Sequence, residues 1–459
     1  MKTHERYVSQ LVRWEMMRDV TSGSRAVKSK RNLYLPVTYN CDESAENKLR
    51  YDAYLMRAVF YPVTKDTMLN HVGLAFAEEP KFDEGGLPFL KYDADGANTS
   101  IYQLNQRALK DLLRYGRGGF FVDYPQTDGG ATKADIERGI RPAIVYYDAF
   151  QIINWRVDSY GAKKKLSLVV LHEKSEVKDP SDEFSVLQAN IYRVLRLDEN
   201  GEYCIQIYSD ESGQMLASEP IYPISNGKRW DEIPFIFLGA QSNDPNIDSI
   251  PLESLAEVNL AHYQNSAEYE SSVFICGQVQ PVINELSEEW RDHIEETGIK
   301  LGSGVPLLLP QGSTFQYVQA APNPLCKEAM DGKFSYMQAL GAKVLDKSIA
   351  NKTATQVDSE NMTQHSVLSL CVANLNEANE YALNWCAKYQ GTDDVPTFSI
   401  KQDFAVGEID NELLKIYQEE VVSERMSELT FHAIKQTGKM PEVTYEDEKA
   451  QIERERDGY

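Results

Sequence analysis

The sequence predicts an α+β fold, because the spacing of its apolar residues changes twice along the chain. Helical spacing runs to about residue 120, strand-like alternation runs to about residue 238, and helical spacing returns at Pro251. Apolar residues three and four positions apart line one face of a helix, whereas alternation is typical of a half-buried strand. The 459 residues exceed the size at which one core usually stops growing, so we expect two or more structural regions.

The composition is that of a folded but strongly acidic protein. Hydrophobic residues make up 42%, charged residues 25%, and the formal net charge is −23. A protein that grips nucleic acid over a large surface is normally basic, because its affinity comes from neutralising phosphates. The charge argues against that class. It remains compatible with a wall past which DNA slides without sticking.

The cysteine and hydropathy patterns indicate a reducing compartment and no membrane segment. The first seventeen residues are charged and lack the apolar core of a signal peptide. No apolar run approaches the roughly 18 residues that a membrane helix needs. The cysteines are scattered without a CxxC pair, so we interpret them as buried thiols of a protein made and used in a cytoplasm. They are Cys41, Cys204, Cys276, Cys326, Cys371 and Cys386.

The first 120 residues are predicted to be mainly helical. Two further helical stretches follow the first one, at about Asn47–Phe60 and at Ile101–Tyr115, where Gly116 ends the pattern. The first helix is predicted by four apolar residues on one face, Tyr7, Leu11, Trp14 and Met17.

The next block is predicted to be an antiparallel meander with one face against the preceding helices. Asp198–Gly201 lies between two alternating runs and predicts a β-hairpin. The predicted strands are Phe120–Tyr124, Ala143–Tyr147, Leu166–Glu173, Ala189–Leu197, Tyr203–Tyr208 and Pro234–Leu238.

Two long helices around a short mixed insert are predicted next. The first runs from Pro251, where a helix can begin, to about Cys276. The second runs from about Pro324 to Lys347, and its glycines Gly332 and Gly341 suggest close packing against a neighbour. The insert is predicted to hold a helix, Ser287–Thr297, and two strands, Pro306–Leu309 and Thr314–Val318.

The clearest periodicity follows the polar segment Ser348–Thr355. It predicts one long amphipathic helix. A strand at Phe398–Phe404 and further helices are expected after it, and the charged end Glu446–Arg456 is either a helix or frayed. The apolar stripe of the long helix is Leu368, Cys371, Leu375, Ala378, Ala382, Trp385 and Tyr389.

Eight segments between about residues 110 and 390 carry a family resemblance. They are Asp111–Pro125, Tyr146–Arg156, Leu168–Glu173, Ile233–Ala240, Pro251–Ile283, Leu301–Gln319, Ala339–Leu345 and Asn351–Val357. In content and order the chain resembles the tailed-bacteriophage portal proteins, and most closely a branch found mainly in short-tailed phages. None of the segments is a catalytic motif, so the resemblance depends on their number and order.

The resemblance implies the portal architecture. At about 1.5 Å per residue, each of its two stem helices would span on the order of 36 Å. The implied parts are a wing (residues 1–250), stem helices (251–276 and 324–347) around a clip (277–323), a tunnel loop (348–355), a long helix returning to the wing (356–405) and a helical crown (406–459).

The resemblance also implies a function without catalysis, cofactor or metal. Such a protein forms a ring-shaped channel at one capsid vertex for the packaging and ejection of double-stranded DNA. The implied partners are copies of itself in a closed ring of twelve, the DNA, the large terminase subunit, the capsid and scaffolding proteins, and the head–tail adaptor or tail proteins. The implied location is the virion, after assembly in the host cytoplasm and without contact with a membrane.

Two groups of residues are candidate sites under this resemblance. Lysines at the tunnel loop would touch passing phosphates transiently, and acidic residues of the clip would contact the motor or the tail. The tunnel-loop residues are Lys347, Asn351, Lys352 and Thr353. The alternative is that the acidic clip residues only form the solvent-exposed face of a short helix. These residues are Glu288, Glu289, Glu295 and Glu296.

Other motifs are interpreted as structural. Asp93–Asn98 looks like a calcium loop, but its glycine comes two positions too early, so a turn is expected. Gly116–Gly119 and Gly302–Gly304 lack the GK[ST] of a phosphate-binding loop and are expected to be turns or helix ends. His172 and Glu173 alternate along one strand, which gives an acid–base pair little support.

Two alternatives stay open at the level of sequence. One is another head–neck protein such as an adaptor, although adaptors are usually shorter and lack paired helices around an insert. The other is an acidic cytosolic hydrolase that uses paired carboxylates. Any acidic chain of this length supplies such pairs, so this signal has almost no specificity.

Overall fold

The structure is a computed structural model whose described residues form two units, Met1–Lys401 and Gln402–Tyr459. Helices account for 48% and strands for 23%, which confirms the predicted α+β class. The described residues are 1–36, 44–125, 140–161, 163–179, 182–211, 214–225, 227–298, 308–321, 324–343, 366–402, 404, 411–423, 425–437 and 445–457.

The helices of the described residues confirm most of the predicted ones, and Val63–Ala75 is an addition to them. The predicted strand at Phe398–Phe404 is shorter, at Thr397–Ser399. The helices are α1 (Glu5–Ser22), α2 (Ser24–Ser29), α3 (Ala45–Arg57), α4 (Val63–Ala75), α5 (Ile101–Tyr115), α6 (Glu253–Cys276), α7 (Glu288–Thr297), α8 (Leu325–Lys343), α9 (Val367–Gln390), α10 (Asn411–Val422), α11 (Glu428–Thr437) and α12 (Tyr445–Asp457).

The strands form several antiparallel sheets. The two largest have the orders β11-β2-β3 and β4-β5-β6-β7-β8, and the pairs are β1-β14, β9-β10 and β12-β13. The strands are β1 (Lys81–Asp83), β2 (Arg117–Asp123), β3 (Ala143–Asp148), β4 (Ile152–Tyr160), β5 (Lys163–Asp179), β6 (Asp182–Leu197), β7 (Tyr203–Glu211), β8 (Gln214–Ala217), β9 (Ile224–Ser225), β10 (Lys228–Arg229), β11 (Phe235–Gly239), β12 (Gln280–Asn284), β13 (Thr314–Val318) and β14 (Thr397–Ser399).

Helix α5 has the predicted bounds because both of its ends are capped locally. The Ser100 hydroxyl accepts a hydrogen bond from the backbone N–H of Gln103, and the side-chain oxygen of Gln103 accepts one from the backbone N–H of Ser100. Gly116 ends the helix in the left-handed conformation, with φ 66°. A Cβ there would lie 2.9 Å from the carbonyl oxygen of Ser249, so both conformation and space favour glycine.

The single predicted meander is wrong, because the strands divide into two sheets. Strand β11 pairs with β2, which lies more than a hundred positions earlier in the sequence. Since β2 also pairs with β3, the buried β2 is the central strand of the three-stranded sheet. The predicted hairpin at Asp198–Gly201 is confirmed within the five-stranded sheet, where the Asp198 carboxylate accepts two backbone N–H groups of the turn. Strand β4 was not predicted, and β5 and β6 extend well beyond their predicted ends.

A half-buried arginine joins the two sheets. Arg193 on β6 donates to Asp123 on β2 over 2.9 Å and to Glu173 on β5 over 2.8 Å. Tyr147 on β3 also donates to Glu173 over 2.5 Å. An arginine that bonds two carboxylates compensates for its own desolvation, so the cluster fixes the relative position of the sheets.

Helix α9 lies in the core of the first unit, and all seven residues of its predicted stripe are buried. It packs against α5 and against the three-stranded sheet. In the contact with α5, Asn379 donates to the side-chain oxygen of Asn105 over 2.6 Å, and Asn105 donates back over 3.1 Å. Both amides are fully buried, and each also donates to a carbonyl oxygen of its own helix, Ile101 or Leu375, so it is the side-chain oxygen of each that depends on the other amide.

The insert between the long helices differs from its prediction in its strand pairing. Strand β13 is as predicted, but its partner is Gln280–Asn284. Residues 308 and 309 of the predicted strand Pro306–Leu309 are not in a strand, and 306–307 lie outside the described residues. A Cβ at Gly341 would lie 3.3 Å from the side chain of Thr67, as the expected close packing requires, whereas a Cβ at Gly332 would meet no described atom of this chain within 4 Å, so the packing expected there stays a prediction.

The second unit consists of α10, α11 and α12. Two carboxylates of α12 satisfy the N-terminus of α11. Glu448 accepts from the backbone N–H of Ser427 over 2.8 Å, and Glu455 accepts from that of Glu428 over 2.7 Å. The charged end of the chain is therefore a helix, which decides between the two predicted alternatives.

The Asn105–Asn379 pair leads to a first prediction about stability. Replacing Asn379 with Ala leaves the buried amide of Asn105 without its partner, so the free energy of unfolding should fall by about 1–3 kcal/mol. Urea unfolding followed by tryptophan fluorescence measures it, since all five tryptophans precede residue 402.

Asn384→Ala is the matched control, because Asn384 is an exposed asparagine on the same helix. The double variant Asn105→Ala, Asn379→Ala should cost less than the sum of the two single changes. Strict additivity would show that the two amides do not interact.

Candidate assembly site on the paired long helices

Helices α6 and α8 run antiparallel, as three contacts along the pair indicate. Asn265 accepts from the amine of Lys333, Glu268 lies 4.0 Å from the sulfur of Cys326, and the carbonyl of Cys276 accepts from Gln319 over 2.5 Å. From one contact to the next, the residue numbers increase along α6 and decrease along α8 and the segment before it. The 24 and 19 residues of these helices span about 36 and 28 Å at about 1.5 Å per residue.

The antiparallel register continues from the helices into the ribbon β12–β13. Gln280 pairs with Val318 and Asn284 pairs with Thr314, so the ribbon extends the helix pair without a change of register. Helix α7 follows β12, and Ser287 caps its N-terminus by accepting from the backbone N–H of Trp290. The helix pair, the ribbon and α7 thus form one excursion of the chain, which we call the stalk (residues 253–298, 308–321 and 324–343).

The first half of α6, the root of the stalk, is held by buried polar contacts. The Asn259 side chain accepts from the backbone and hydroxyl of Thr64, over 3.2 and 3.0 Å, and donates to the carbonyl of Tyr61 over 2.9 Å. Ser266 donates to the carbonyl of Val59 over 2.7 Å. Since buried amides and hydroxyls are costly when unpaired, these bonds fix α6 against the segment before α4.

Two buried histidines lie where α6 and α8 meet α4. Burial lowers the pKa of His262 on α6, Lys333 lowers it further and Asp331 raises it, and the His262 ring lies tilted against that of Tyr61 with 4.7 Å between the ring centres. Burial also lowers the pKa of His71 on α4, although hydrogen bonds to the backbone of Thr67 and Gly341 oppose this effect. Both rings are therefore held neutral at the root.

The distal half of the stalk exposes apolar side chains. Buried residues of α6 end at Ala267, and Phe274 and Ile275 are 46% and 58% exposed. On the returning limb Tyr317 is 59% and Leu325 is 66% exposed. Contiguous apolar surface on one element is typical of a site where another protein packs.

The predicted clip residues lie together on α7. The four side chains are exposed, and Glu288 lies 3.7 Å from Arg291. They are Glu288, Glu289, Glu295 and Glu296. The predicted tunnel-loop residues lie outside the described residues, so their placement stays a prediction. They are Lys347, Asn351, Lys352 and Thr353.

The acidic loop at Asp93 forms a turn, as expected. Asp95 accepts from the backbone N–H groups of Ala97 and Thr99, over 2.8 and 3.1 Å, and Asp93 pairs with Arg141. His172 and Glu173 are engaged separately, since His172 lies 3.0 Å from Asn190 while Glu173 binds Arg193. Their pairing as acid and base therefore gains no support.

The thiols of the described cysteines are free, and only some are buried as predicted. Cys204, Cys371 and Cys386 are buried, and burial raises the pKa of Cys371 to about 12. Cys276 and Cys326, at the distal end of the stalk, are only partly buried, which corrects the prediction for them. Cys41 lies outside the described residues.

Sequence reasoning missed the polar residues that anchor the root. Asn259 and Ser266 lie on the buried face of α6 among leucines and tyrosines, and this interruption of an apolar stripe was the available signal. It also missed Arg117, which is fully buried on β2. Among the described residues, no group of His, Cys, Asp or Glu is arranged to hold a metal ion. No described helix is long and apolar enough to cross a membrane.

The stalk and the central helix coincide with a region known in other proteins. A family described as a domain of unknown function, DUF4055, matches residues 251–390, which extend from the start of α6 to the end of α9. This is less than half of the chain. None of the curated proteins compared with the sequence matched it.

Solved structures of gene transfer agent (GTA) particles are similar to the chain at a distant level. A chain of the virion of the native particle has a TM-score of 0.40 and 11% identity, with 88% of this chain and 92% of that chain covered. Chains from the neck of the native particle, computed with C12 symmetry, and of the empty particle, with C6 symmetry, each have a TM-score of 0.40, 12% identity and coverage of 87% and 92%. The likeness is too distant to decide the function.

The buried histidines lead to a prediction about pH. Because their pKa values are lowered in the folded state, the unfolded chain binds protons more readily below the ordinary value of 6.5. Stability should therefore be complete above about pH 7 and fall as the pH drops through 6.5 and below. Urea unfolding at a series of pH values measures this change.

The double variant His71→Gln, His262→Gln isolates the histidine contribution, since other groups titrate equally in both proteins. The difference in stability between the wild type and this variant should change as the pH falls below 6.5. A difference that stays constant with pH would show that the two rings do not control the acid response.

Proposed function

We propose that the chain is the portal protein of a tailed phage, and thus a structural protein of the head–neck region. The observation that carries the proposal is the stalk. Its two antiparallel helices are fixed at the root by buried polar contacts and continue in register into a ribbon and an acidic helix. Two upright helices around a compact excursion are what a ring needs in order to line a hole with copies of one element.

Self-association supplies the burial that the distal stalk lacks within one chain. The exposed side chains of Phe274, Ile275 and Leu325 would contact exposed side chains of adjacent copies in a ring. A head-to-tail contact of this kind uses two different surfaces on each copy and closes when the rotation divides a full turn. A ring of twelve is the number that we propose.

The acidic helix α7 is proposed as the surface that meets the packaging motor and later the tail. Its N-terminal Glu288 and Glu289 and its C-terminal Glu295 and Glu296 are exposed, so they are available to a basic partner. Lys347 and Lys352 keep their proposed role at the channel constriction. The net charge of the whole chain, −23, then keeps DNA from adhering to the wall.

No catalytic role is proposed. The clip carboxylates lie on an exposed helix, whereas hydrolases place such groups in an enclosed site that shifts their pKa values. The proposal includes a location in the virion after assembly in the host cytoplasm. It also includes the partners that a portal requires, namely double-stranded DNA, the terminase, the capsid and scaffolding proteins, and the adaptor or tail proteins.

Electron microscopy of the purified full-length chain tests the proposal. We expect rings with an axial hole. Light scattering should give a mass of about twelve times the 52.1 kDa of one chain. A monomer or dimer under all assembly conditions, including added scaffolding protein, would refute it.

One substitution tests the role of the distal stalk. Ile275→Asp places a charge where apolar contact between copies is proposed, so the assembled fraction should fall by about tenfold or more at equal concentration. Circular dichroism should be unchanged, because Ile275 is 58% exposed.

Leu216→Asp is the matched control, since Leu216 is 49% exposed on β8, away from the stalk. Its assembly should equal that of the wild type. Equal loss of assembly in both variants would remove the special role of the stalk.

A further inference from the structure

A cavity of about 640 Å³ lies between the N-terminal segment, one end of the five-stranded sheet and the loop after β11. Its floor is aromatic, since Trp155 and Phe237 line it and both are buried. Within the described residues Lys164 forms no ion pair, so its amine is available at the rim. The cationic residues of the lining are Arg6, Arg156, which also pairs with Asp158, and Lys164; the lining includes one carboxylate, Asp244, and burial lowers the pKa of His4.

A fully buried arginine adds a fixed positive charge beneath this cavity. Arg117 donates to the carbonyl oxygens of Asp244 and Asn246, over 3.2 and 2.7 Å, and both residues line the cavity. Its guanidinium lies 4.0 Å from the ring centre of Phe237 and 4.7 Å from that of Trp155. Its Nη2 has no hydrogen-bond partner among the described residues. A concave site with this charge favours a carboxylate-bearing occupant.

The opposite end of the same sheet carries features that complement the cavity. Strand β4 pairs with β5 only to Leu171, and β7 pairs with β6 only from Ile191, so the rest of β5 and β6 pair with each other alone. We call this two-stranded segment the arm (residues 174–179 and 182–190). A two-stranded hairpin is marginally stable in water, and Phe184 and Val186 on the arm are 90% and 55% exposed. The sequence of residues 176–183 contains four acidic residues and one lysine.

The cavity and the arm of one chain cannot meet. Strand β5 begins at the cavity and ends at the tip of the arm, and its 17 residues span about 55 Å at about 3.3 Å per residue. A second copy supplies the acidic arm in the required orientation, because a head-to-tail ring brings different surfaces of neighbouring copies together. Copies with a net charge of −23 repel one another unless regions of opposite charge meet, which makes a basic cavity valuable at their contact.

We propose that the cavity at Arg156 and Lys164 receives the acidic, phenylalanine-bearing arm of a second copy of this chain. The contact rests on the proposed ring and specifies one of the two different surfaces through which neighbouring copies meet. A protein occupant fits better than DNA, because the three cations line one concave site within a strongly acidic molecule and form no extended basic surface for a phosphate backbone.

Zero-length cross-linking tests this contact directly. Full-length chains labelled with nitrogen-15 are mixed with unlabelled chains before assembly, and a carbodiimide then joins lysines to carboxylates that touch. Mass spectrometry should find Lys164 joined to a carboxylate of residues 176–183, and these pairs should include ones that combine a labelled with an unlabelled peptide. Pairs of uniform label only would place the contact within one chain and overturn the proposal.

Charge reversal is the second test of this contact. Arg156→Glu with Lys164→Glu should lower the assembled fraction by about tenfold. Adding Asp182→Lys and Glu183→Lys to the same chain should restore it, because the attraction is then re-formed with the charges exchanged. Lys228→Glu, an exposed lysine on the short strand β10, is the matched control and should assemble as the wild type does.

The outcomes separate this contact from the proposed function. Wild-type rings together with full assembly of the reversed variant and no mixed cross-link would overturn the contact and leave the portal proposal standing. Wild-type protein without rings would refute the portal proposal, while a mixed cross-link in a smaller oligomer would still support the contact. Binding of a short duplex DNA that is lost on Lys164→Glu, without any mixed cross-link, would assign the cavity to nucleic acid and overturn the proposal.

Discussion

The anchoring of one long helix at only one of its ends is the constraint on which the other features depend. Asn259 and Ser266 satisfy backbone groups of the segment before α4 within a buried contact, so the root of α6 cannot move without leaving those groups unpaired. Beyond Ala267 the helix pair has no such cover, and apolar residues face solvent. A fixed root with an uncovered distal half presents the same surface in every copy, as a repeating assembly requires.

The molecule is strongly acidic, but a few of its sites carry positive charge. Most of the excess of carboxylates is spread over exposed surface, including α7, where it keeps DNA from adhering and offers contact to basic partners. The cavity above Arg117 departs from this pattern, since buried guanidinium and rim lysine and arginine occur together. Such a local reversal of sign gives direction to the contact between identical chains, because it distinguishes one side of each copy from the other.

The core of the first unit connects these surfaces. Helix α9 packs on α5 through the Asn105–Asn379 pair and on the three-stranded sheet, and Arg193 ties that sheet to the one that carries the cavity and the arm. These connections combine apolar packing with polar contacts of specific geometry that are buried or half-buried. Such contacts fix relative orientation more strictly than apolar packing alone, because misalignment leaves a buried group unsatisfied.

The sequence by itself determined the features that depend on neighbours along the chain. The stripe of α9, the caps of α5 and the hairpin at Asp198–Gly201 follow from periodicity and turn chemistry, and the α+β class follows from them. Tertiary structure alone decided the pairing of β13 with Gln280–Asn284, the division of the strands into two sheets and the cavity above Arg117. These depend on residues far apart in sequence, and periodicity records which face of an element is buried without recording what covers it.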